Sequence, residues 1–115
     1  MNWHYGVKGF LYWSSIYWGA GQDPWTTPHF RDQYWGEGML LYPGKDAGLS
    51  GPVPSIRLKL IREALEDFEY MTLAGKRGRK AEVEEIVGSL ARSFTDWSQD
   101  PEAYMAARAR LAALI

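Results

Sequence analysis

The sequence predicts an α/β fold, because its first half is typical of strands and loops and its second half is typical of helices. The division falls near Pro54. Before it, glycine and proline recur among aromatic residues, which make up 15% of the whole chain. After it, apolar residues recur with a helical period between charged ones. At 115 residues the chain is long enough for one domain and too short for two ordinary ones.

Two short segments of the first half are predicted to be strands. Residues 9–13, GFLYW, begin at a glycine and are rich in the aromatic residues that favour strands. Residues 38–44, GMLLYPG, form a short apolar run that a Pro-Gly pair closes. The segment between them has no helical period, whereas parallel neighbours in a sheet are normally joined by a helical crossover. We therefore expect the second segment to be a short extra strand inside one long loop.

The first predicted helix covers residues 55–74. Ser55 suits the N-cap position, and Gly75 suits the position that ends the helix. Seven apolar residues fall on one face at helical spacing, which predicts that this face is buried. They are Ile56, Leu60, Ile61, Ala64, Leu65, Phe68 and Met71.

Two further helices are predicted after the basic turn GKRGRK. One covers Ala81–Arg92, and the other begins after Asp100, a suitable cap, with Pro101 at its first position. Their expected inward residues are Val83, Ile86, Val87 and Leu90 in the first, and Tyr104, Ala107, Leu111 and Leu114 in the second.

Charge and composition exclude several classes of function. A net charge of −1 gives no electrostatic reason to expect nucleic acid or an anionic membrane as partner. The chain has no cysteine, and its two histidines, His4 and His29, lie far apart, so neither a metal site nor a cofactor is expected. No signal peptide or membrane-spanning run is visible. The localisation stays open, and a secreted or periplasmic full-length protein is compatible with the sequence.

The long aromatic loop, residues 19–54, points to a larger fold. Loops longer than about 15 residues in compact domains are usually functional or indicate a wrong assignment. Two short strands and three helices around such a loop make a poor self-sufficient domain. We therefore expect the chain to be the C-terminal part of a larger fold.

Five motifs in a fixed order indicate which fold this is. They are GFLYWSSIYW, DPW, GEGMLLYPG, GPVPSIRL and IREALEDFEYM. Together they resemble the C-terminal part of the catalytic domain of glycoside hydrolase family 123. The resemblance implies a (β/α)8 TIM-like barrel, with residues 9–13 as its last strand, 19–54 as a long βα loop and 55–74 as its last helix. It also implies that residues 1–75 are the C-terminal end of the barrel domain. Residues 76–115 would be a helical extension that packs on the same domain.

The resemblance also implies an activity for the full-length protein. The family is similar to retaining β-N-acetylgalactosaminidases, in which the 2-acetamido group of the substrate is the nucleophile, a Glu is the acid/base and the adjacent Asp orients the acetamido group. Glu66 and Asp67 stand in the reverse order and on a predicted helix, so no catalytic residue is assigned in this chain. We expect the pair upstream, the isolated chain inactive, and the partners to be an N-acetylhexosaminide or related glycan and the missing part of the barrel.

Candidate sugar contacts follow from the position of the loop, because βα loops form the active sites of such barrels. Trp13, Tyr17 and Trp18 offer flat rings with a polar group, which suit the C–H face of a sugar. The alternative is that these rings pack the barrel mouth. Strand alternation predicts that Tyr12 points away from Trp13.

The loop contributes four more candidates, each with a structural alternative. Asp23 is a possible sugar ligand or the start of a turn, and Trp25 and Trp35 are rim residues or buried staples that order the loop. Glu37 is an acceptor for sugar hydroxyls or a solvated turn carboxylate. Arg57, in the first turn of a helix where a cation is unfavourable, is expected to have a specific partner, such as a carboxylate in the barrel.

A non-catalytic carbohydrate-binding or scaffold role is the main alternative function. An Asp-Glu pair at the end of a strand upstream would favour the enzyme, and its absence would favour the binding role. The spacing from Trp13 to Trp35 also suggests a proline-peptide module, but the three-strand pattern of such a module is missing.

Overall fold

The computed structural model describes residues 2–31 and 33–115. These residues fold into two compact units. The loop unit is Phe10–Glu63, and the helical unit consists of the segment through Gly9 together with Ala64–Ile115. Within the described residues, no helix has an apolar stretch long enough to cross a membrane. The sequence-based division after residue 75 concerns the larger domain and stays a prediction.

Three helices form where the sequence predicts them, with boundaries shifted by one or two residues. They are α1 (Ile56–Lys76), α2 (Lys80–Leu90) and α3 (Pro101–Ala112). The Ser55 hydroxyl accepts a hydrogen bond from the backbone N–H of Leu58, 3.3 Å away. The Asp100 carboxylate accepts one from the backbone N–H of Glu102, 3.0 Å away. Both predicted N-caps are confirmed, since each satisfies a backbone donor that the helix leaves free.

The end of α1 lies further along the chain than predicted. The helix continues through Gly75 to Lys76, and Gly78 adopts the left-handed conformation, with φ +82°. The Arg79 N–H donates to the Ala74 carbonyl and the Gly78 N–H to the Gly75 carbonyl. This pair of bonds is a Schellman motif, which needs a left-handed residue at Gly78 and not at Gly75.

The core of the helical unit is built mainly by α2 and α3. Its buried residues are Ala74, Val83, Ile86, Val87, Ala107 and Leu111, with Leu90 and Leu114 packed against them. Tyr104 is exposed, and its hydroxyl donates to the Ser98 carbonyl. The predicted apolar faces of α2 and α3 are therefore confirmed except at Tyr104.

The predicted burial of the α1 face is wrong for its first half. Ile56, Leu60 and Leu65 are each more than half exposed, whereas Tyr70 and Met71 pack against the core. Helical periodicity identifies an apolar face, but burial also needs a partner. In the described residues the core contacts of α1 are concentrated in its C-terminal half.

Among the described residues, six short strands form three separate antiparallel pairs. The loop unit contains β1 (His29–Phe30) with β2 (Tyr34–Trp35), and β3 (Leu41–Tyr42) with β4 (Val53–Pro54). The helical unit contains β5 (Ala91–Ser93) with β6 (Asp96–Trp97). The predicted extra strand is confirmed in β3. The predicted helix to Arg92 is wrong at its end, because the chain enters β5 at Ala91.

Residues 9–13 are not a strand among the described residues. A strand is stable only when its backbone pairs with a neighbour. The nearest pairing lies further along, where Ile16 forms an isolated antiparallel bridge with Met39. The aromatic composition of GFLYW thus predicted a strand that has no partner strand in this structure.

The end of α1 provides a test with two matched substitutions. Gly78→Ala forces an L-residue into the left-handed region and is expected to lower the free energy of unfolding by about 1 kcal/mol. Gly75→Ala replaces a helical glycine whose added Cβ would meet Trp3 at an ordinary 3.7 Å, and is expected to raise it by up to about 1 kcal/mol. Denaturant unfolding of the full chain measures both, and equal effects would contradict the assigned helix end.

The β5–β6 turn carries a test of pH dependence. Arg92 Nε and Nη2 donate to the Asp96 carboxylate at 2.6 and 2.7 Å, and these hydrogen bonds lower the pKa of Asp96. A lowered folded-state pKa means that the pair stabilises the fold above the ordinary aspartate range, about pH 4, and loses this effect as pH falls through the lowered value. In an NMR titration, Arg92→Gln should return the Asp96 midpoint toward that range, whereas Arg110→Gln should leave it unchanged. An Asp96 midpoint unaffected by Arg92→Gln would refute the assignment.

Candidate functional site

All seven predicted sugar contacts lie in the loop unit, where the structure divides them into three locations. Trp13, Tyr17 and Glu37 belong to one cluster around a tight turn. Trp18, Asp23 and Trp25 line a separate open cleft. Trp35 lies on the β1–β2 hairpin and is 72% exposed. The centroid of its ring is 5.3 Å from that of the His29 ring, in an edge-to-face arrangement.

Three aromatic rings form the centre of the first group, the aromatic cluster. The centroids of Trp13, Tyr17 and Phe30 are each 5.1 Å from the other two, and the planes are tilted or perpendicular. Such edge-to-face geometry is favourable between aromatic rings beyond the area that they bury. Trp13 and Tyr17 nevertheless remain almost half exposed. The cluster therefore presents fixed rings to solvent.

A turn of three residues, Gly36–Glu37–Gly38, holds a carboxylate beside these rings. Both glycines have a left-handed backbone, with φ +73° and +71°. The indole N–H of Trp13 donates a hydrogen bond to the carboxylate of Glu37. A Cβ on Gly38 would lie 2.7 Å from Trp13 Cζ2, so only glycine lets the ring pack this closely. The result is a half-buried carboxylate whose orientation is set by an aromatic ring.

Tyr12 also contacts this turn, which strand alternation did not predict. Its hydroxyl accepts a hydrogen bond from the Gly38 N–H at 3.2 Å, while the adjacent Trp13 packs on the same glycine. The two side chains meet one turn because residues 9–13 are not a strand, and so do not alternate in direction. The prediction that Tyr12 points away from Trp13 is therefore wrong.

Arg57, on the first turn of α1, anchors the same turn from its other side. Its Nε and Nη2 donate to the Met39 carbonyl at 3.3 and 3.0 Å, and Nη2 also donates to the Tyr42 hydroxyl at 2.8 Å. Its guanidinium fills the space that a Cβ on Gly36 would need. The expected specific partner exists, but it is a carbonyl and a phenol of the loop, not a carboxylate. Carbonyl and hydroxyl oxygens can accept these bonds without a second charge.

The second group lines an open cleft of about 660 Å³. Its walls include Trp18, Gln22, Asp23, Trp25, Pro43 and Asp46. Trp25 is held at its polar end, because its indole N–H donates to the Pro43 carbonyl at 3.1 Å, and its ring lies 4.9 Å from that of Tyr42. The predicted role of Trp25 as a staple of the loop therefore has a structural basis, while part of its ring stays exposed.

Asp23 has the local structural role that the sequence offered as an alternative. Its Oδ1 accepts from the Trp25 N–H at 2.9 Å, and its Oδ2 accepts from the Thr26 hydroxyl at 3.0 Å. Both bonds stabilise the turn that Asp23 begins. A sugar contact of this carboxylate stays a prediction.

Several residues of the site were not identified from the sequence as candidates. Phe30 completes the aromatic cluster from a position 17 residues after Trp13, and nothing in the local pattern indicates this contact. Asp46 lines the cleft from a short 3-10 helix, Lys45–Ala47. The Tyr-Pro-Gly turn just before Asp46 is the one sequence signal that brings the chain back toward Trp25.

The loop unit presents groups that suit the binding of a polar ligand with an apolar face. A carboxylate oriented by an indole and flanked by exposed rings can accept hydroxyl hydrogen bonds and stack on an apolar face. Glu66 and Asp67, in the helical unit, both contact Arg108, at 3.1 and 2.9 Å. Among the described residues, no group of three potential ligands is arranged to hold a metal ion.

Comparison with known families agrees with the sequence resemblance. Residues 1–74 match the family model described as glycoside hydrolase 123, catalytic domain. This match covers more than half of the chain and includes the whole loop unit. No curated protein gives a significant match.

The turn beside the aromatic cluster can be tested with two glycines of equal φ. Gly38→Ala and Gly48→Ala each force an L-residue to φ +71°, at a cost of about 1 kcal/mol. Only at Gly38 does the added Cβ also meet a ring. This clash should raise the loss in the free energy of unfolding to about 2 kcal/mol or more. Near-UV circular dichroism during denaturant unfolding should show a lost aromatic signal for Gly38→Ala alone. Identical behaviour of the two variants would contradict the close packing of Trp13.

Proposed function

Because this chain belongs to the glycoside hydrolase 123 family, we propose that its loop unit forms one wall of a sugar-binding pocket. The observation that carries the proposal is the contact between Trp13 and Glu37. A sugar offers an apolar C–H face and a ring of hydroxyl groups, and this pair offers an exposed indole and an oriented acceptor. Tyr17 extends the surface, and Trp35 adds a second exposed ring on the hairpin.

The proposal gives Arg57 a positioning role. The bonds from its guanidinium to Met39 and Tyr42 fix the path of the chain just after Glu37. The two left-handed glycines fix the turn itself. Both features keep the carboxylate in one orientation before a ligand arrives, which reduces the entropy lost on binding.

We further propose that the chain is the C-terminal end of a (β/α)8 barrel, with residues 9–13 as the last strand and α1 as the last helix. Within a complete barrel, GFLYW would gain neighbouring strands, and the exposed α1 positions Ile56, Leu60 and Leu65 would gain a surface to cover. The full-length protein would then be a retaining β-N-acetylgalactosaminidase in which the substrate acetamido group is the nucleophile.

No residue of this chain is assigned to the chemical step. The sequence contains no Asp-Glu dipeptide, and the reversed pair Glu66–Asp67 is engaged with Arg108. The second candidate function is a carbohydrate-binding domain of the same fold without hydrolysis. The two candidates share the pocket wall and differ in whether an Asp-Glu pair is supplied outside the chain.

The sugar-binding role predicts the effect of two tryptophan substitutions. Trp13→Ala should weaken binding of a β-N-acetylgalactosaminide to the full chain by about tenfold, since a tryptophan ring that the ligand covers is a typical hot spot. Trp97→Ala is the matched control, because Trp97 is 49% exposed against 47% for Trp13 and lies in the helical unit. Titration calorimetry measures both. Equal affinities of Trp13→Ala and the unchanged chain would refute the pocket wall.

Because no residue of this chain is assigned to the chemical step, we predict that the chain binds its ligand without hydrolysing it. The chain alone should bind an aryl β-N-acetylgalactosaminide and release no aryl alcohol, because it lacks the acid/base pair. Release measured by absorbance, and abolished by Glu37→Gln, would overturn this expectation and identify Glu37 as a catalytic residue.

A further inference from the structure

We propose that the open cleft of the loop unit selects glycans by charge, favouring a hexosamine with a protonated amine and disfavouring a sulfated or uronate sugar. The inference rests on the proposed function, since it assumes that the loop unit binds carbohydrate. The inference adds to the proposed function a second subsite, the cleft at Trp18 and Trp25, which has its own preference for the charge of the sugar.

The cleft is large enough to hold a sugar ring and has aromatic walls. Its volume of about 660 Å³ lies within the range of small-ligand sites. Trp25 is fixed by its bond to Pro43 and by its contact with Tyr42, and a part of its ring faces solvent. Trp18, half-buried, supplies a second indole. Rigid aromatic walls bind a sugar face at low cost in side-chain entropy.

Most polar groups of the cleft are already occupied. Gln22 Oε1 accepts from the Gly19 N–H, and its Nε2 donates to the carbonyls of Thr27 and His29. Both oxygens of Asp23 accept bonds within its own turn. Asp46 is exposed, and within the described residues its carboxylate takes part in no hydrogen bond or ion pair. Of the two carboxylates that line the cleft, Asp46 is therefore the one that is available to a ligand.

The charge of the cleft then decides which ligand is preferred. Asp23 and Asp46 both carry a negative charge, and no residue that lines the cleft carries a positive one. A protonated amine is attracted to this site by the two carboxylates. A sulfate or a uronate carboxylate is repelled by the same charges. The cleft is open to solvent, so the discrimination is modest and falls as salt rises.

Three oligosaccharides of equal length test the preference on the full chain. They are an N-acetylated chito-oligosaccharide, the same compound with one N-acetyl group removed, and a sulfated counterpart. Below the pKa of the sugar amine, we expect the amine-bearing compound to bind about two- to fivefold more tightly than the neutral one, the range that exposed ion pairs supply. The sulfated compound should bind more weakly by a similar factor. High salt should bring the three affinities together.

Two variants distinguish the effect of the charge in the cleft on binding from the effect of the net charge of the chain. Asp46→Asn should remove most of the preference and leave the affinity for the neutral compound unchanged. Glu102→Gln removes the same charge from an exposed position in the helical unit and should leave the preference intact. Equal binding of the three compounds, or a preference that Asp46→Asn does not reduce, would overturn the inference and leave the proposed function standing. No binding of any of the three would also overturn the inference, whereas the proposed function is decided separately by the titration of Trp13→Ala and the unchanged chain with a β-N-acetylgalactosaminide.

Discussion

The fold of the loop unit depends on one cation, the guanidinium of Arg57. It donates to the carbonyl of Met39, a fully buried residue, and to the hydroxyl of Tyr42. Without it, an acceptor in the interior of the loop would lose its donor, at a cost that exceeds the value of an average hydrogen bond. Its position in the first turn of α1 is electrostatically unfavourable, because the helix dipole is positive there. The bonds to the loop explain why a cation occupies this position.

Features that depend on neighbours in sequence were predictable. The caps at Ser55 and Asp100 follow from residues within three positions, and the apolar face of α2 follows from its period. The end of α1 was less predictable, because Gly75 and Gly78 both satisfy the sequence pattern of a helix end. Only the hydrogen bonds of the last turn decide between them.

The candidate site was predictable in its residue types and not in its arrangement. Tryptophans in a long loop indicate a binding surface, but their division between an aromatic cluster and a cleft depends on contacts between residues distant in sequence. Trp13 meets Phe30 and Glu37, and Trp25 meets Pro43. The direction of the Tyr12 side chain was predicted wrongly from strand alternation. That rule assumes a paired strand, and residues 9–13 have no partner strand in this structure.

The turn Gly36–Glu37–Gly38 divides its tasks between backbone and side chain. The two glycines determine where the chain runs, because their backbone conformation and close contacts admit no larger residue. The side chain of residue 37 instead bonds to the indole of Trp13. Evolution can therefore exchange the residue at this one position without rebuilding the backbone of the turn. Substitutions at Gly36 or Gly38 have no such freedom, so change in this loop should be confined to the residue between them.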